Sequence, residues 1–213
     1  MTDAGSGGNE ADRAAVEQSL LSAFLSRTIL PGQPVMLDVL AHHYRVSAET
    51  LTMVLEAMAD KGLVVRARPA GYYVRELLTK RELAEIFVVR NRIEPWLAEE
   101  SAKSPISSER AERLRSLASI PPAPTLVQLA QRDTEFHELI GQLSGLTFAS
   151  RAVDSLHSPF HIYRRLDGHS HAPASDPEHL AIAEAIIAGD AEGSRTAMQR
   201  HLSSSSARLL ALG

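Results

Sequence analysis

The sequence predicts a mainly α protein: a small N-terminal head carrying one β-hairpin, followed by an all-α antiparallel helical bundle. Three observations predict it. Apolar residues recur at helical spacing along most of the chain. Two short β-type runs, 63–68 and 72–75, flank a Pro-Ala-Gly turn. Past residue 78 the patterning is helical and stays so.

Residues 1–12 are polar and Gly-rich and read as a disordered leader. Over 14–27, Val16, Leu20, Leu21, Phe24 and Leu25 fall at helical spacing. Pro31-Gly32-Gln33-Pro34 then breaks the chain. A short helix follows over 37–44, with Leu37, Leu40 and Ala41 inward and Asp38 exposed. Ser47 is a good N-cap for the next helix, since its hydroxyl can accept from a free N–H of the first turn. Thr50 stands where a full capping box has Glu or Gln. That helix runs to about Asp60, burying Leu51, Val54, Leu55 and Met58, and Gly62 suits the left-handed position beyond its end. The runs 63–68 and 72–75 close a hairpin through Pro69-Ala70-Gly71. Three helices and a hairpin make a winged helix-turn-helix over 13–77, with the hairpin as the wing.

The second domain, 78–213, starts with almost no linker. Thr79 caps a long helix over 80–102, and a second covers 107–119. Pro121-Pro122-Ala123-Pro124 is a connector to helices over 125–143 and 147–166. After a loop at 168–175, Asp176 and Pro177 open a helix over 176–188, Pro177 fitting the first helical position. Gly189-Asp190 breaks it, and 191–210 is the last helix.

Composition bounds the function. The chain has 213 residues, 44% apolar and 23% charged, ordinary for a globular protein. With no cysteine there is no disulfide framework, thiolate metal site or cysteine nucleophile. No basic start is followed by an apolar h-region, and no stretch approaches the ~18 apolar residues of a membrane span. A cytoplasmic protein that does not enter the membrane is expected. The net charge of −4 argues against a general nucleic-acid binder. Between Arg45 and Arg75, however, five basic residues stand against three acidic ones.

In the head, the residues placed to touch double-stranded DNA are Arg45 in the turn, Thr50 and Thr52 on the outer face of the second helix of the motif, and Arg66 and Arg68 in the wing. Plain solvent exposure on an edge strand accounts equally well for Arg66 and Arg68. Tyr72 packs on a sugar or fills the hairpin, and His42 and His43 are surface residues.

In the bundle, Asp133 and His137 are four apart and project from one helix face. His179 lies in the first turn of its helix, where the positive end of the dipole disfavours imidazolium. His201 lies on the inward face of the last helix, where a buried imidazole needs a ligand or a hydrogen bond. Three neutral imidazoles and one carboxylate suit a divalent Zn, Ni, Mn or Fe ion. His157, His161, His169 and His171 are left over, the last two in a polar loop.

These residues carry a family resemblance. Pro31-Gly32, Leu40-Ala41, Val46-Ser47, Gly62-Leu63-Val64 and Gly71-x-x-Val74 resemble the GntR family of bacterial transcription regulators. Val89-Arg90-x-Arg92-Ile93-Glu94-Pro95 resembles the start of that family's FCD effector domain. Asp133-x-x-Phe136-His137, Glu178-His179-x-x-Ile182-x-x-Ala185-Ile186-x-x-Gly189-Asp190 and Met198-x-x-His201-Leu202 resemble its metal-binding core. The resemblance spans 14–210. It implies a DNA operator as partner and a small organic acid as effector, with Arg90 and Arg164 (neighbours Arg92 and Arg165) as candidate clamps for its acid group. Arg90 shares a face with Ile86 and Leu97 and is expected inward, whereas Arg92 is expected outward.

One departure is specific. The family's recognition helix usually opens Ser-Arg-Thr-Pro-Val-Arg-Glu-Ala-Leu. Here Ala48 and Thr52 replace both arginines, Glu49 adds an acid, and Ala70 precedes the wing glycine where the family has Arg or Lys. Each lost bidentate Arg–guanine contact removes about 1–3 kcal/mol of discrimination.

The expectation is a metal-dependent, ligand-responsive regulator, a repressor and a homodimer, since paired half-sites need two heads. It is not expected to be an enzyme. Glu135 and Glu138 point away from the ligand face, and no nucleophile elbow, phosphate loop or dinucleotide fingerprint is present. The alternatives are a ligand-binding protein with a degenerate DNA head, or a metal-dependent hydrolase or oxygenase.

Overall fold

The computed structural model describes residues 6–67, 71–156, 158–163 and 176–211. The chain divides after Leu77 into two compact units.

The first unit holds α1 (Ser6–Leu25), β1 (Pro34–Val35), α2 (Leu37–Tyr44), α3 (Ala48–Asp60), β2 (Val64–Ala67) and β3 (Gly71–Val74). Its core is the apolar stripe of α1 (Leu20, Leu21, Phe24, Leu25) against Leu51, Leu55 and Met58 of α3, closed by Leu63, Val64 and Val74. The sheet is antiparallel in the order β1-β3-β2, with Val64 opposite Val74 and Arg66 opposite Tyr72.

Two features of this unit depart from the sequence reading. α1 begins at Ser6, so residues 6–12 are helical rather than a disordered leader. Glu10, Ala11, Arg13, Ala14 and Ala15 are good helix formers, and propensity extends the helix beyond the point where its apolar stripe starts. The strand β1 begins at the last residue of the 31–34 break and is not evident in the sequence. Two residues long and opening on Pro34, it shows no alternating pattern, and it pairs at the sheet edge where a missing N–H is tolerated.

The turn between α2 and α3 is set by Arg45, whose backbone is left-handed (φ 57°), and by Ser47, whose hydroxyl accepts from Thr50 N at 3.0 Å. Gly62, at φ 67°, ends α3 in the left-handed position that glycine takes without strain.

The second unit is helical throughout its described residues: α4 (Lys80–Ala102), α5 (Ser108–Ala118), α6 (Leu126–Ser144), α7 (Thr147–Asp154), α8 (Ser158–Tyr163), α9 (Asp176–Ile187) and α10 (Ala191–Ala211). Reciprocal capping boxes start α4 (Thr79 with Glu82) and α6 (Thr125 with Gln128), so both helices enter in fixed register. The helix expected over 147–166 is broken. Pro159 cannot continue α7 but fits the opening turn of α8.

α4 packs chiefly against α10 and α6. Buried serines allow this close approach. Ser194 Oγ of α10 donates to Ala98 O at 3.0 Å, and Ser101 Oγ of α4 donates to Ile140 O at 3.0 Å. Around them Leu83, Phe87, Leu97, Phe136, Ile140, Ile182, Ile186, Met198 and Leu202 form the core. The inner faces of α4, α6, α9 and α10 therefore meet, and the polar residues on those faces meet with them.

Candidate functional site

Three imidazoles converge in the second unit. His137 of α6, His179 of α9 and His201 of α10 are buried, with one donor atom of each within 4.8 Å of the others. His179 Nε2 lies 3.3 Å from His201 Nε2 and 3.6 Å from Asp133 Oδ1. Asp133 and His137 project from one face of α6, one turn apart, as their spacing predicts. His179 is set by stacking on Phe136, its ring 4.3 Å away and 24° from parallel.

The donor set fits a divalent ion. Two imidazole nitrogens on one ion at 2.0–2.1 Å sit roughly 3.0–3.4 Å apart, and the His179–His201 separation falls in that range. Burial pushes the His179 pKa well below its usual value, and the facing charges of His201, His137 and Arg90 lower it further. His201 is also lowered, first by burial, although its bond to Glu178 opposes the shift. Both rings are thereby held neutral near pH 7, the form that ligates metal.

Sequence reasoning missed two carboxylates behind these rings. Glu178 Oε2 accepts from His201 Nδ1 at 3.0 Å, and Arg208 grips the same carboxylate with both Nη atoms at 2.8 Å. Burial would raise the Glu178 carboxyl, but Arg208 and His201 bring it down to about 2. Glu94, only 2% exposed, forms a buried ion pair with Arg90 and places Oε2 2.6 Å from His137 Nδ1, a close contact without hydrogen-bond alignment. Burial acts to raise Glu94 as well, and Arg90 and His137 more than reverse it. The Arg90–Glu94 spacing on an inward face was the available signal. Glu178 stands in the motif that resembles the metal-binding core, but no local pattern ties it to His201 on α10.

Arg90 is inward, 2% exposed, with Nη2 3.2 Å from His137 Nε2, and Arg92 is exposed, both as expected. Arg164, Arg165, His157, His169 and His171 lie outside the described residues. His161 is buried on α8.

Two clefts reach the cluster. One opens on His137 and Arg90 between Thr134, Glu138, Val153 and Pro159. The other opens on Asp133 and His179, with an apolar wall of Leu117, Ile120 and Leu129 and the polar tips of Arg132 and Tyr163. Arg132, which the sequence reading passed over, donates through Nη2 to the carbonyls of Ser116 and Ser119 and pairs with no carboxylate among the described residues.

In the first unit, Thr50 is a correction. It is buried, and its hydroxyl meets Ser47 Oγ at 2.9 Å, because the third position of a capped helix faces back onto the cap. It cannot face a DNA groove. Thr52 is half-buried and donates to Ala48 O at 2.8 Å. Arg45 is exposed. Arg66 is exposed but bound to Glu56 of α3 at 3.3 Å, and Tyr72 OH reaches the same carboxylate at 3.4 Å. Tyr72 is buried, so it fills the hairpin. Arg68 lies outside the described residues.

Residues 85–204 match the FCD domain, more than half of the chain. The protein belongs to the FCD family. A curated relative, the uncharacterized HTH-type transcriptional regulator BphR of Paraburkholderia xenovorans, is 25% identical over 201 residues, covering 90% of this chain and 82% of its own. The fold of this chain is similar to that of a putative GntR transcriptional regulator from Rhodococcus sp. RHA1 (TM-score 0.70, 19% identity, 94% of this chain and 98% of that one). McbR/YncC of E. coli is similar too (TM-score 0.67, 18% identity, 93% and 96%). The FCD match and these relatives together support a GntR-type transcription regulator rather than an enzyme, a role that implies DNA as partner. Among its described residues no helix is long and apolar enough to cross a membrane.

Proposed function

We propose that this regulator is a cytoplasmic homodimer, a repressor whose hold on its operator is set by a small organic acid bound beside a divalent metal ion. The observation that carries the reading is the convergence of His137, His179 and His201 in the helical unit, with Asp133 Oδ1 3.6 Å from His179 Nε2. These four would hold the ion. When bound, it would supply a fixed positive charge with open positions for a carboxylate or water. Zn, Ni, Mn and Fe(II) all suit the donor set, which contains no thiolate.

The clefts refine the effector's seat. Arg90 already has its charge met by Glu94, so an acid group arriving there competes with a buried carboxylate. Among the described residues Arg132 holds only carbonyls, and it lines the cleft of Asp133 and His179 beside an apolar wall. Of the two arginines, Arg132 is the better candidate to take the effector's carboxylate. Effector control requires only that the acid bind one state of the dimer better than the other.

A second reading has its own support. With Thr50 buried, Thr52 turned back on its helix and Arg66 tied to Glu56, the recognition surface offers little base-reading chemistry. On that reading the head grips phosphate and discriminates weakly.

Gel shifts on the upstream region of the protein's own gene, with metal and candidate acids added in turn, separate the two. The first reading gives a sequence-specific complex released by an acid only when metal is present. The second gives weak binding to any duplex.

A further inference from the structure

We infer that Glu178, held by Arg208, is a positioning residue for the metal centre: it fixes the tautomer and aim of His201 and thereby sets how tightly the ion is held. This inference rests on the metal reading above. It follows from what each donor can do. His201 Nδ1 lies 3.0 Å from Glu178 Oε2, and an ionised carboxylate only accepts, so the ring proton sits on Nδ1. The lone pair then belongs to Nε2, which points at His179 Nε2 across 3.3 Å. Glu178 cannot swing away, because Arg208 binds both of its oxygens at 2.8 Å from one helical face of α10. Arg208 and His201 thus reach the same carboxylate from α10, while Glu178 and His179 are adjacent on α9. The His201 ligand of α10 is thereby braced from α9, and its brace is clamped from α10 in turn.

The three rings are oriented by different devices. His201 has an aligned carboxylate bond, His137 a close but unaligned one, and His179 a stacked phenyl ring. Among the described residues, His201 alone of the three has a partner that both fixes the proton and is itself clamped, so the contribution of this carboxylate is separable from the rest.

The test titrates cobalt(II) into metal-free protein against a chelating dye and records the visible ligand-field bands. Loss of such an outer partner typically weakens metal binding 10–100-fold. Glu178→Ala is expected to show a loss of that order with shifted bands. Glu178→Gln, which keeps an acceptor but loses the charge and the Arg208 clamp, is expected to lose several-fold, and Arg208→Ala similarly. If Glu178→Ala does not fold, the other two carry the test. Glu184→Ala is the control. It breaks another bridge from α9, the exposed one to Arg115 at 2.7 Å, which touches none of the three rings, and is expected to bind cobalt like wild type. Wild-type affinity and bands in both Glu178 variants would overturn the inference while leaving the metal reading standing. A wild-type protein that takes up no cobalt would overturn both.

Discussion

His179 Nε2 faces His201 Nε2 at 3.3 Å, from two helices joined by a single Gly189-Asp190 break. Two neutral rings so placed offer one hydrogen bond at most. Divalent metal gives both lone pairs a partner, and this sets the first expectation. Chelation should lower the melting temperature of protein purified without chelator, and metal should restore it. Bound metal at a hundred times its Kd adds about 2.7 kcal/mol. Differential scanning calorimetry with EDTA and then with added ion checks this, and His201→Ala should abolish the response.

The same rings predict a pH dependence of the metal-free protein. Burial depresses both His179 and His201 below their ordinary value of 6.5, so below that pH the unfolded chain binds protons that the folded one refuses. Stability therefore falls as pH drops from about 6.5, by up to ~1.4 kcal/mol per pH unit for each ring. Above 6.5 both states leave the rings neutral and the term is flat. Urea melts between pH 7.5 and 5.5 measure it, and His179→Phe should flatten the slope.

Arg90 and Glu94 are both 2% exposed, and Arg90→Ala would strand a buried carboxylate. A loss of about 3–5 kcal/mol is expected. Arg90→Met with Glu94→Gln removes both charges and should recover most of it. If instead Arg90→Ala kept full stability and lost only the response to an acid, Arg90 rather than Arg132 would be the effector clamp.

In the DNA head, Arg45 is exposed at the turn with a left-handed backbone that asparagine also tolerates. Arg45→Asn should weaken binding to all duplexes alike and reduce the salt slope by about one phosphate's worth, ~0.9. Glu56→Ala frees Arg66 from its 3.3 Å bridge and should tighten binding and steepen that slope. Fluorescence anisotropy across a salt series measures both.

Much of this was legible in the chain because the signals were local. Thr79 with Glu82 and Thr125 with Gln128 mark helix starts whatever lies around them, and four-residue spacing alone puts Asp133 and His137 on one face. What escaped depended on contacts between distant segments or on weak local patterns. Glu178 sits next to His179 but serves His201, and only the α9–α10 packing shows it. Arg132 became notable once its cleft and its carbonyl partners were visible. Thr50 is different: the partial capping box is itself a local signal that its hydroxyl turns toward Ser47 and away from solvent.

Elemental analysis of wild type beside His179→Ala and Asp133→Ala decides whether four side chains hold one ion. One divalent metal per chain in the wild type, falling to a small fraction in each variant with the helical content preserved, is the expected result. Wild-type protein that stays metal-free after exposure to zinc, nickel, manganese and iron(II), or variants that keep a full complement, would contradict it.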